Sequence, residues 1–190
     1  MDTVEAEFVR IKQDHREALK RRAARVVCGA SVIRVFAKGT KQPLMEALVA
    51  LDVEALPGLG DQAEFRRWFV HALGRVARRL KRTNHDNTRI MPGYKWGHAT
   101  KVLALYVREV VLNSRYFTDD DVTRIEPWLY VPIDGVVMDH CRDVGVDPRV
   151  RRIKEIDSSA KFFRVQELLS GPAERAGVPR VWFDDAWGDR

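Results

Sequence analysis

Two cysteines in 190 residues, Cys28 and Cys141, are too few for a disulfide framework or a cysteine-rich zinc site. No run of uncharged apolar residues approaches the roughly 18 that a membrane-crossing helix needs, so no membrane association is expected. The opening stretch, MDTVEAEFVRIKQDHREALK, has no apolar signal segment, and the expected location is cytoplasmic. The five histidines form no H-x3-H or HExxH pair, so no zinc site is expected. A P-loop, a dinucleotide fingerprint and a Ser-His-Asp arrangement are likewise missing, and no metal or organic cofactor is implied. Internal repeats and low-complexity tracts are absent.

What is present is a core and a charged surface. Apolar residues make up 45% of the chain and charged residues 32%, which argues against global disorder. The formal charge is +6, and it is unevenly placed. Residues 61–95 hold nine bases against three acids, an excess equal to that of the whole chain. Such a strip attracts polyanions and gains affinity by releasing their counterions; it is equally compatible with a solvated helix face. Smaller basic runs at Lys20-Arg21-Arg22 and at Arg149, Arg151, Arg152 and Lys154 have acids nearby.

Periodicity predicts an all-α, compact single-domain helical bundle over residues 1–190. The first 28 residues read as a helix, with Phe8, Ile11, His15, Leu19 and Arg22 at helical spacing. SVIRVFA, 31–37, fits helix or strand. Pro43 fits the first turn of a helix to about Leu51. Asp61 can cap a helix over roughly 62–82 whose stripe is Phe65, Phe69, Leu73, Val76 and Leu80. TNHDNTRIMPGYKWG, 83–97, reads as a loop. A helix over about 98–113 is apolar on two sides, hence central. Thr118 opens a short acidic helix and Asp134 one that Gly145 stops. Helical spacing returns at 159–169, and Pro172 is expected to start a last short helix ending near Gly177. The tail, about 178–190, carries Trp182, Phe183 and Trp187 and is expected to dock on the body.

The strongest local pattern is YVPIDGVVMDHCRDVGV, 130–146. It delivers Asp134 to the start of an apolar helix, where free backbone N–H groups favour an ionised carboxylate. Such a group can stabilise developing positive charge or orient water; it is also a preferred helix cap that needs no chemistry. Lys101 shares a face with Leu105 and Leu112, and desolvation there would favour a nucleophilic amine, whereas a stem lying on apolar surface with its ammonium in water would not. Tyr94 and Trp96 alternate with Lys95 beside His98 and Arg89, a pattern suited to base stacking with phosphate contact, or to anchoring a loop by its aromatics. LPGLG, 56–60, is either a phosphate-clasping glycine turn or an ordinary connection.

The segment around Asp134 resembles the catalytic-aspartate segment of the helix-hairpin-helix DNA glycosylase superfamily, through Val131, Ile133, Asp134, Val137, Arg142 and Gly145. WGHATKVLALYVREVV resembles that superfamily's preceding helix, through the pair Ala99 and Lys101. The likeness covers roughly residues 96–146. The family's Leu-Pro-Gly-X-Gly hairpin turn lies between those helices; here its letters stand at 56–60, ahead of both. The resemblance implies a DNA-processing enzyme that flips a modified or damaged base and cleaves its N-glycosidic bond. Asp134 would be the catalytic carboxylate and Lys101 a nucleophile or positioning cation. The expected partner is DNA, with RNA as a further possibility. Arg78, Arg79, Lys81, Arg82, Arg89 and Lys95 would hold phosphates, while Tyr94 and Trp96, with His98 beside them, would meet the base. Two alternatives stand beside it. One is a non-catalytic nucleic-acid-binding module. The other is a ribonuclease of the HEPN type, from the Arg-X4-His spacing of Arg66 and His71.

Overall fold

A computed structural model describes residues 3–83, 90–92 and 96–188. The fold is all-α, with one short antiparallel pair among the described residues, and no described helix is long and apolar enough to cross a membrane. Helix α1, Thr3–Val27, buries only its C-terminal half, through Leu19, Ala23, Ala24 and Val27. The first half of its predicted stripe stays outside the core: Phe8 is 60% exposed and Ile11 51%. Helix α2, Ala30–Ile33, resolves the ambiguity at 31–37 in favour of a single helical turn. Helix α3, Lys41–Val49, carries Pro43 in its first turn, where the missing N–H costs nothing.

LPGLG is no glycine hairpin. Its Leu-Pro-Gly closes a 3-10 segment, Val53–Gly58, whose Leu56 is buried. The Gly60 N–H that could have met a phosphate donates to the Glu64 carboxylate at 2.8 Å, while Glu64 N–H donates to Asp61 at 2.8 Å. This reciprocal cap starts α4, Gln62–Ala77, and places an acid where an anion would have to bind.

Helix α4 buries the predicted stripe, Phe65, Phe69, Leu73 and Val76. It stops five residues before the expected Arg82. Tight bonds from Arg79 N–H to Val76 and from Leu80 N–H to Ala77 close the turn, and Leu80 plugs back into the core. The chain then leaves as β1, Lys81–Thr83, paired antiparallel with β2, Ile90–Pro92, so that Arg82 lies opposite Met91. Part of the expected loop is therefore strand.

Helix α5, Trp96–Arg108, continues through a π-helical turn, Glu109–Asn113. As its two apolar sides require, it packs against α1, α4 and, C-terminal to them, α8. Helix α6, Asp119–Ile125, is capped by Thr118, and α7, Gly135–His140, by Asp134. Gly145 closes the following turn at φ +76°, a conformation glycine adopts without a Cβ clash.

Helix α8, Ser159–Ala176, continues past Pro172, so the proline forgoes one helical N–H bond but does not start a helix of its own. Gly171 precedes it; without a Cβ, that residue is spared the Cβ part of the clash with the proline ring that disfavours an α conformation there. Helix α9, Trp182–Gly188, lays the tail on α7, with Phe183 stacked on Trp187 at 4.7 Å and Trp187 on His140 at 5.6 Å. One hydrophobic cluster runs from Leu19 to Trp187. Its centre is aromatic, with Phe69 and Phe162 stacked at 5.7 Å and Tyr130 edge-on to both.

A candidate cleft at the start of helix α5

Asp134 is delivered by an anchored extended segment. Val131 and Ile133 are fully buried, and the side chain of Gln166 on α8 accepts from Val131 N–H at 2.9 Å and donates to Val131 O at 2.8 Å. A buried glutamine thus replaces the neighbouring strand that this backbone lacks, and satisfies both of its polar groups. The chain turns into α7 with Asp134 extended, its Oδ1 accepting from Val137 N–H at 3.0 Å.

The other carboxylate oxygen, Oδ2, accepts from Lys101 Nζ at 2.7 Å. The two side chains are 27% and 26% exposed, so the pair is neither sealed in the core nor free in solvent. It borders a cavity of about 150 Å3 walled by Val32, Arg34, Phe36, His98 and Ile153. Phe36 meets the His98 ring edge-on at 6.4 Å. The two residues singled out from opposite ends of a 33-residue separation therefore share one cleft, together with His98 from the aromatic-basic segment. In this arrangement the Lys101 ammonium is committed to Asp134. Attack by its amine would require the pair to open and a proton to leave.

A tight backbone contact fixes the cleft. Gly97 N–H donates to Ile156 O at 2.8 Å, and a Cβ on Gly97 would stand 2.0 Å from the Ile153 carbonyl oxygen. The first turn of α5 and the segment 153–156 thus meet backbone to backbone.

Beyond the pair the same face of α5 carries Arg108, two turns from Lys101. Its guanidinium pairs with Asp184, and with Asp185 at 3.2 Å, both on α9. Burial pushes the Asp184 carboxyl up to about 6; Arg108 pulls it down, while Asp134 and Asp185 push it up further. Sequence reasoning did not single out Asp184. The available signal was Arg108, which repeats the position of Lys101 on a face otherwise built of Leu105 and Leu112.

The remaining predicted residues divide. Arg78 and Arg79 are exposed at the end of α4, as is Arg75, and none has an acidic partner among the described residues. Trp96 opens α5 half-buried against the core, and His98 lines the cleft. Lys81 and Arg82 lie on β1; Arg89, Tyr94 and Lys95 lie outside the described residues. Arg66 and His71 are not brought together: Arg66 lies over the Phe163 ring at 3.9 Å and pairs with Glu167, whereas His71 is exposed and lines no cavity with it. His140 pairs with Asp143 at 2.6 Å and does not converge on Asp134. No family model, curated protein or solved structure matches the chain.

Proposed function

We propose that this protein is a glycosylase-like DNA-processing enzyme, which holds one flipped base at the Lys101–Asp134 cleft and cleaves its N-glycosidic bond. The observation that carries the reading is the 2.7 Å pair at the mouth of a small cavity, on the helix that directly follows the basic segment. A carboxylate held by a backbone N–H and an ammonium is fixed in orientation before substrate arrives. Charge developing on the sugar as the base departs would be stabilised by a group that need not reorganise; water then adds to the sugar carbon and its proton goes to the released base. Lys101 serves as the positioning cation that holds the carboxylate in place. Arg34 lines the same opening and is placed to meet the flanking phosphate, with His98 beside it.

Asp134→Asn separates the two roles of this residue. Asparagine is as good a helix cap as aspartate but carries no charge. Against duplexes bearing a panel of modified bases, the wild type is expected to release free base, and the variant to release it about a thousandfold more slowly, the scale of losing one preorganised charge-stabilising group. Duplex affinity should stay within about threefold, since the variant removes no phosphate contact. A variant as active as the wild type rejects the assignment of Asp134.

The exposed, unpaired arginines on α4 support a second reading, a module that binds nucleic acid without chemistry. Both readings predict that replacing Arg75, Arg78 and Arg79 by alanine flattens the plot of log affinity against log salt by about 2–3 units of slope. An unchanged slope removes this face from the interface. Salt-sensitive binding with no base released from any duplex favours the second reading.

A further inference from the structure

A separate cavity of about 340 Å3 lies between α4 and α8 and shares no residue with the cleft at Asp134. Its floor is apolar, made of Ala63, Tyr130 and Phe163, and two guanidiniums face it. Arg180 is only 5% exposed, yet every acceptor it meets is neutral. Its Nε donates to Leu129 O at 2.9 Å, Nη2 to Trp128 O at 2.8 Å and Nη1 to Ser170 Oγ at 2.9 Å. With the Gln62 amide turned so that its oxygen faces the guanidinium, that oxygen accepts from Nη1 at 2.9 Å and Nη2 at 2.5 Å. These bonds satisfy the donors, and the guanidinium also lies over the Tyr130 ring at 4.9 Å, but no carboxylate pairs with it directly. Arg66, over Phe163, has Glu167 as its partner at 3.3 Å, and that carboxylate is 69% exposed at the rim. Two cations against one acid leave the pocket one negative charge short.

The second independent observation is Tyr130. It is 3% exposed and lines the pocket, and its hydroxyl has no hydrogen-bond partner among the described residues. The hydroxyl is reached through the pocket rather than sealed in the core, so a ligand oxygen entering there can accept from it. We propose that this pocket is a binding site for a small organic monocarboxylate. The carboxylate accepts from the Tyr130 hydroxyl and Arg66 and adds a second negative charge beside Glu167, balancing the two guanidiniums. The apolar body rests on Ala63 and Phe163. The volume lies within the small-molecule range, and with the apolar floor it favours an organic acid over a bare inorganic ion.

Titration of the full chain with sodium benzoate, followed by calorimetry and by amide shifts around Gln62 and Phe163, tests this against sodium chloride at matched ionic strength. Benzoate should bind saturably. Arg66→Gln, at a half-exposed position, should weaken it about tenfold, and Tyr130→Phe, which keeps the ring, about threefold. Asp134→Asn should leave it unchanged, so the outcome is independent of the reading given to the Lys101–Asp134 cleft. Inorganic phosphate should bind more weakly than benzoate. The proposal fails if benzoate produces no saturable response above chloride, if phosphate binds as tightly, or if both pocket variants bind like the wild type.

Discussion

Gly97→Ala is expected to lower the melting temperature and to loosen the Lys101–Asp134 pair together. The new methyl would stand 2.0 Å from the Ile153 carbonyl oxygen, well inside any normal contact, and the opposing atom belongs to backbone. Neither side can give by a rotamer change. Either the 153–156 segment retreats, stretching the 2.8 Å bond from Gly97 N–H to Ile156, or the first turn of α5 tilts and carries His98 and Lys101 with it. Overpacking of this kind costs roughly 1–3 kcal/mol. In a chain of this size each kcal/mol lowers the melting temperature by roughly 2–4 °C. Gly74→Ala gives the internal contrast: it lies inside α4 with nothing within 4 Å of an added methyl. That change should stabilise by roughly 0.4–1 kcal/mol, because alanine has less freedom to lose on folding. Thermal unfolding followed by circular dichroism reads both. Gly97→Ala melting at or above the wild type would mean that the backbone contact does not govern this corner.

The helices with strong apolar periodicity were legible in the sequence because burial of one face imposes it. The stripe Phe65, Phe69, Leu73, Val76 is buried as predicted, and Asp61, Thr118 and Asp134 each cap the helix they precede. The failures came where a non-local contact or a local exemption overrides the pattern. Strand β1 exists because 90–92 supplies a partner, which no periodicity within 78–83 encodes. Pro172 sits inside α8, buried on its core face and preceded by a glycine that relieves one steric conflict, so tertiary packing overrides the usual rule. The exposed half of α1 has the spacing of a buried face but no neighbour among the described residues to bury it. At the cleft, Asp134 and Lys101 were visible as residue types in context. Their meeting was not, since it depends on the packing of two helices 33 residues apart in sequence. Asp184 was invisible for the same reason: its surroundings come from α5 and α7, and its own neighbours in the chain reveal only a docked tail.

Asp184 makes the second strong expectation, and its sign runs against the usual view of an ion pair. The side chain is 16% exposed, and burial, opposed by Arg108 and Lys101 but reinforced by Asp134 and Asp185, lifts its carboxyl from 3.8 to about 6. The folded state therefore holds this proton more tightly than the unfolded chain does. Stability contributed by the protonated group is fully present below about pH 4 and is lost as pH rises towards 6, after which the curve is flat. Two pH units of displacement correspond to roughly 3 kcal/mol. Asp184→Asn imitates the protonated form and removes the titration. Arg108 keeps a charged partner in Asp185 at 3.2 Å, so the substitution strands no cation. The variant should match the wild type in stability near pH 4 and exceed it by roughly 3 kcal/mol above pH 6.5. Denaturant unfolding of both proteins across that range measures the difference directly. A variant weaker than the wild type at neutral pH, with a wild-type advantage that grows as pH rises, would show that the attraction of Arg108 outweighs burial and the neighbouring carboxylates. Asp184 would then be a charged strut tying the tail to α5, and the ionised form would be the one that the fold selects.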